Sequence, residues 1–276
     1  MPISKTERNR LKSHTFSEDK KEEFNATHFV MPNIDIAKTL KLSFKKLGSK
    51  TSVLFLNIFS SLIFTIYIYL MLEFSSFMNL LWYTIAFFIL EILVVAPITA
   101  ITKAKLSDMK SGSLVSPMLI SLNYLEPLIP VAYIGLIILI LQSLTLINLF
   151  SAVVFGVLSI IILIIAIILQ ISNLNSSISI QILYDKKLGR NVALSRSWML
   201  MSGQSLRLLA INILSSLPVI IAIIFDVILI KTSFIGYFVI ITFILADLSI
   251  SWWQACTSYI YVNIIKKAKL MDYSRL

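Results

Sequence analysis

Six stretches of this chain, near residues 52–72, 79–102, 126–147, 149–171, 208–230 and 234–262, are apolar over the length needed to cross a bilayer. A hydrocarbon core of about 30 Å takes roughly 20 helical residues, and inside it each backbone N–H and C=O must pair within the protein. These runs predict an all-α polytopic membrane protein with six transmembrane helices. Spans one and two meet around 73–78, three and four at Asn148, and five and six around 231–233, so each pair reads as a tight hairpin.

Basic residues set the expected orientation. Of 24 Lys and Arg, all but Lys231 fall on the side that holds both termini. The positive-inside rule places that side in the cytosol, N-in and C-in. The formal charge of +10 then reads as topology, and no nucleic-acid partner is expected. Abundant Ile and Lys suit an AT-rich bacterial genome, and the expected location is a bacterial cytoplasmic membrane. No secretory signal peptide is expected, because the first apolar run starts near Ser52, after a long polar segment.

Residues 1–33 are polar and highly charged and predict a disordered cytosolic tail, with 34–276 forming the six-helix membrane domain. Ile36, Leu40, Phe44 and Leu47 recur at helical spacing, with Lys38, Lys41, Lys45 and Lys46 on the remaining arc. That pattern predicts an interfacial amphipathic helix with its lysines toward anionic headgroups. Leu114 to Leu125 is also expected at the interface, since Glu126-Pro127 and Pro130 interrupt any longer helix. After span four, the polar run from Asn173 to Gln181 is expected to carry the helix on into the cytosol. Trp252, Trp253, Tyr259 and Tyr261 suggest an aromatic belt near the inner surface, and Cys256 a packed small residue. Ala152 and Gly156 have the spacing of a close helix approach.

One phrase occurs twice. Ser43-Phe44, Gly48 and Asn57 to Leu62 echo Ser197-Trp198, Gly203 and Asn212 to Leu217, with a single insertion between the copies. Each copy reads as a short interfacial helix feeding a span from the cytosolic side, so the repeat is parallel.

Polar residues inside the spans are the candidate site. Glu91 in span two, Glu126 at the start of span three and Asp247 in span six are costly at bilayer depth and are expected to face the bundle interior. Under the repeat Glu91 and Asp247 are near-equivalents, at the depth of Ser60-Ser61 and Ser215-Ser216. Each acid is expected to be protonated and bonded to the Ser pair, or to Asn57 or Asn212, on the preceding span. The same groups could serve a proton or cation site. Asp226, close to Lys231, reads as a snorkelling surface pair.

The phrase Ala193-Leu194-Ser195-Arg196-Ser197-Trp198-Met199-Leu200-x-x-Gly203, followed by Arg207-Leu208-Leu209 and an apolar run, resembles a bacterial membrane-protein family. That family comprises the membrane domain of glycerophosphoryl diester phosphodiesterases and the related YciC-like proteins. The resemblance implies an interfacial motif (Arg196, Ser197, Trp198, Gly203, Arg207) ahead of an inner-membrane helix. The chain lacks the separate catalytic domain of those enzymes, so what carries over is a membrane module.

No enzymatic activity is expected. Both histidines, His14 and His28, lie in the polar tail, no HExxH or GxSxG occurs, and one cysteine leaves no metal or cofactor set. The sequence favours a lipid-interacting, scaffolding or partner-assisting module, with membrane lipids or another membrane protein as partners. A small transporter or permease subunit using a cytosolic ATPase on another chain is the alternative. A third reading is an immunity protein against a membrane-active peptide.

Overall fold

Apolar runs of this length close their backbone hydrogen bonds only as helices, and the computed structural model describes them so over residues 33–72, 77–123, 132, 149–229 and 235–266. In chain order the helices are α1 (Ile36–Ser49), α2 (Ser52–Leu72), α3 (Phe77–Leu90), α4 (Ala96–Leu106), α5 (Val115–Asn123), α6 (Leu149–Ser176), α7 (Ser179–Lys186), α8 (Arg190–Met201), α9 (Ser205–Leu229) and α10 (Ile235–Ile260). No strand occurs among the described residues. Among the described residues, five segments are long and apolar enough to cross a membrane: Ser52–Leu70, Trp82–Leu106, Gly156–Lys186, Arg190–Asp226 and Phe238–Asn263. They correspond to five of the six expected spans. The expected third span at 126–147, with Glu126, lies outside the described residues except for 132, and residues 1–32, Lys231 and 267–276 lie outside them too.

Proline shapes two spans. Between α3 and α4 the chain widens into a π-helical turn, Glu91–Val95, in which the Ala96 N–H bonds back to the Glu91 carbonyl. Pro97 follows at once and has no N–H to give the preceding turn; its ring also crowds the carbonyl four residues back, which the wider turn relieves. Pro218 sits inside α9 without ending it.

α10 is the hub, packing against α1, α2, α4 and α9. α8 lies across α6 and α7, and α9 reaches α6 as well as α10. The helix α1 turns a different face inward from the one its apolar spacing suggests. Thr39, Ser43 and Leu47 are buried against the bundle, whereas Phe44 is 49% exposed and the lysines at 38, 41 and 45 point outward. The row that meets α10 is thus chosen for small and polar side chains that allow close approach. Asp35 starts the helix by accepting the Lys38 N–H at 2.9 Å.

The polar run after span four also departs from expectation. It is not a solvated extension: every residue from Leu174 to Leu183 is buried. α6 breaks at Ser177-Ile178, and its loose ends are taken up by neighbours. Lys103 Nζ on α4 donates to the Ser177 carbonyl at 2.9 Å, and Gln181 Nε2 reaches Ser258 Oγ on α10 at 3.5 Å. Tyr261 departs from the aromatic belt in the same way, while Trp252 stays half-buried. The Trp252 indole N–H lies 3.2 Å from both the Leu40 carbonyl and Ser43 Oγ, and the fully buried Tyr261 donates to Asp185 Oδ2 at 2.8 Å.

Candidate functional site

Polar side chains at helical spacing meet inside the bundle. α2 contributes Asn57 and Ser61, α4 contributes Thr99 and Thr102, and α10 contributes Asp247, Ser251 and Gln254, each set along one helix face. Asn57 is fully buried and uses its whole amide. Its Nδ2 donates to Ser251 Oγ at 2.7 Å and to Gln254 Oε1 at 2.9 Å, and its Oδ1 lies 3.4 Å from Thr102 Oγ1. Gln254 Nε2 in turn donates to Thr99 Oγ1 at 3.2 Å. Three helices are therefore joined through one side chain.

Asp247 borders this network. Ser61 Oγ stands 3.2 Å from Asp247 Oδ1 and 3.0 Å from the Asn57 carbonyl, with one proton to give. A protonated Asp247 completes both bonds, since the carboxyl then donates to Ser61 and Ser61 to the carbonyl. The partner expected from the repeat was Ser215-Ser216 on α9. Instead Ser215 Oγ donates to the Asn212 carbonyl of its own helix at 3.0 Å, and Asp247 meets Ser61 on the first span. Ser60 is buried, with its hydroxyl unpartnered, and Ser216 is half-buried. Glu91 is half-exposed and opens the π-helical turn.

The second copy of the repeat grips a different helix by the same means. Asn212 Oδ1 accepts from Gln170 Nε2 of α6 at 2.8 Å, as Asn57 pairs with Gln254 of α10. Upstream, Ser197 of the interfacial motif donates to the Asn175 carbonyl on α6 at 2.6 Å, as Ser43 contacts Cys256 Sγ on α10 at 3.0 Å. Ser205 adds a bond to Asn175 Oδ1 at 2.8 Å. In the repeat, then, α6 stands opposite the second copy as α10 stands opposite the first, and span two joins the first copy through Thr102 of α4.

The remaining motif residues have plainer roles. Arg196 is half-buried, Trp198 is 37% exposed, and Arg207 Nη1 lies 3.4 Å from Gln204 Oε1. Gly203 sits in the 3-10 turn Ser202–Gln204 between α8 and α9. Among the described residues, a Cβ at Gly48, Gly156 or Gly203 would meet nothing within 4 Å, so none of these glycines marks a tight approach there. Asp226 is the acid that spacing undervalued. It is 2% exposed and accepts from Thr242 Oγ1 at 2.6 Å, so it is a buried link between α9 and α10 rather than a surface pair.

Among the described residues no group of three or more His, Cys, Asp or Glu is placed to hold a metal ion. No family model matches the chain, and neither a curated protein nor a solved structure matches it. The fold and site together define an all-helical protein with the helix lengths and composition of a multi-pass membrane protein.

Proposed function

We propose that this chain is a non-catalytic, lipid-interacting module of a bacterial cytoplasmic membrane, with both termini in the cytosol. One observation carries the reading: the polar groups around Asn57 spend their bonding capacity on one another across three helices, Asn57 bonding Ser251, Gln254 and Thr102. A substrate path needs such groups to be available to a passing ion or solute. Here they act as ties between helices, and lipid is the partner left to a bundle with so much apolar surface. The resemblance to the phosphodiesterase membrane domain supports a module of this kind without the hydrolase.

A permease subunit is the second reading, favoured by Asp247, which is half-buried and, among the described residues, bonds one serine, Ser61. Purification of the full chain in mild detergent separates the two. Retention of phospholipid in fixed ratio to protein supports the lipid-interacting module. Co-purification of an ATPase with little lipid supports the permease and overturns the first reading.

A further inference from the structure

The end of the bundle where α4, α7 and the π-helical turn Tyr261–Lys266 finish carries an open cleft of about 480 Å3, within the size range of small-ligand sites. Two acids line it, and both are occupied. Asp185 accepts from Tyr261 and from Lys266 Nζ at 2.9 Å, and Asp108 is ion-paired with Lys50, with Lys46 Nζ at 3.9 Å. Lys110 and Lys187 line the same cleft, are exposed, and enter no ion pair among the described residues. The cleft keeps a surplus of positive charge.

Its frame is built rather than incidental. The carbonyls at the end of α4, which would repel an anion, are covered: Lys50 Nζ donates to the Lys105 carbonyl at 2.6 Å, and the Met109 N–H to Ala104 at 2.9 Å. A Cβ on Gly112 would fall 3.0 Å from the Tyr184 ring, whose hydroxyl donates to the Ser113 carbonyl at 3.2 Å, so loop and ring are locked together. Asp108 and Lys187, at φ 56° and 51°, are the non-glycine residues in the left-handed region among the described residues, and both line this cleft. Glycine is the usual residue at a helix end of that conformation, so a lysine at 187 is kept against backbone preference.

Beside the polar mouth lies an apolar rim. Leu114, Val115 and Leu119 are 38%, 60% and 38% exposed, with Ser116 of the same helix facing the cleft. A phosphate ester alone has no use for that rim; an amphiphile does. We propose that the cleft binds the phosphate of an anionic phospholipid between Lys110 and Lys187, with an acyl chain along Val115 and Leu119. This inference rests on the lipid-interacting reading above and assigns its site.

The test uses the full chain in mild detergent, titrated with phosphatidylglycerol, phosphatidylcholine or soluble glycerol 3-phosphate and read by native mass spectrometry. The wild type favours phosphatidylglycerol over phosphatidylcholine by about thirtyfold, from two lysines near the headgroup. Lys110→Gln with Lys187→Gln brings the two lipids to parity, and the paired Arg substitutions keep the preference. Val115→Ser with Leu119→Ser weakens both lipids. A preference unchanged in the Gln variant overturns the site while leaving the lipid-interacting reading intact; no retained phospholipid of any kind overturns both. Displacement of phosphatidylglycerol by an equal concentration of glycerol 3-phosphate overturns the role of the acyl chain.

Discussion

Asn57 on α2 and Gln254 on α10 are bonded to each other at 2.9 Å, and the pairing is repeated by Asn212 on α9 and Gln170 on α6 at 2.8 Å. An amide pair fits an apolar interior, because each side chain offers a donor and an acceptor and neither carries a charge. The two pairs tie the span that follows each short helix to another span, a later one for Asn57 and an earlier one for Asn212. Hydrogen bonds of this kind in membranes are worth about 0.6 kcal/mol on average and up to roughly 1.7.

Removing Asn57 strands more than one partner. Asn57→Leu leaves Ser251, Gln254 and Thr102 short of a bond, and the expected loss is about 1–3 kcal/mol of stability in thermal unfolding. Asn212→Leu, which removes the bond from Gln170, is expected to cost about half as much.

Asp247→Asn should be nearly neutral in stability, because the amide can donate to Ser61 as the protonated acid does. Asp247→Leu should lower stability by about 1 kcal/mol. Proteoliposomes carrying Glu91→Gln with Asp247→Asn should match wild type in any activity the protein shows. A full loss in the double variant would favour the proton-coupled alternative.

Lys103 ties α4 to the broken end of α6. Lys103→Met is expected to lower the unfolding temperature, with a loss of about 1–3 kcal/mol for a charge-assisted bond to a buried carbonyl. Ser197→Ala should act in the same direction but more weakly, at about 1 kcal/mol, by freeing the Asn175 carbonyl. The two together test whether the break after span four is held from both sides.

At the rim of the bundle, the Lys50 hydrogen bond holds the Asp108 carboxyl below its usual range, with burial opposing and the charges of Lys50 and Lys46 assisting. A depressed carboxyl contributes stability above its ordinary value and loses it as pH falls through the lower folded value. Asp108 is largely exposed, so the contribution is small. A carboxyl NMR titration should show the midpoint below the reference of about 3.9, moving back toward it in Lys50→Gln.

Lys187→Gly should raise stability by about 1 kcal/mol, by relieving a left-handed backbone at a helix end. Thermal unfolding checks it directly.

Much of this architecture was legible in the apolar runs. Span length is dictated by bilayer thickness, and five of the expected six spans have described helices in place. The repeated Ser, Gly and Asn phrase was readable too, but not what it grips. Composition cannot separate a polar stretch that enters water from one that enters a packed interface. Thus the polar run Asn173 to Gln181 is expected in the cytosol yet is buried from Leu174 on. Thr39 and Ser43, outside the apolar series Ile36, Leu40, Phe44 and Leu47, form the contact face of α1 together with Leu47. Asp226 was misjudged because its partner, Thr242, lies on another helix and sequence distance hides the contact. The cleft with Lys110 and Lys187 is assembled from three separate segments, and no local pattern announces it.

The central claim is that polar groups within the membrane join helices. A double-mutant cycle on Asn57→Leu and Gln254→Leu, read as unfolding free energy of the reconstituted chain, tests it most directly. The predicted result is a coupling of roughly 0.6–1.7 kcal/mol between the two positions. Strict additivity, within about 0.3 kcal/mol, would contradict it.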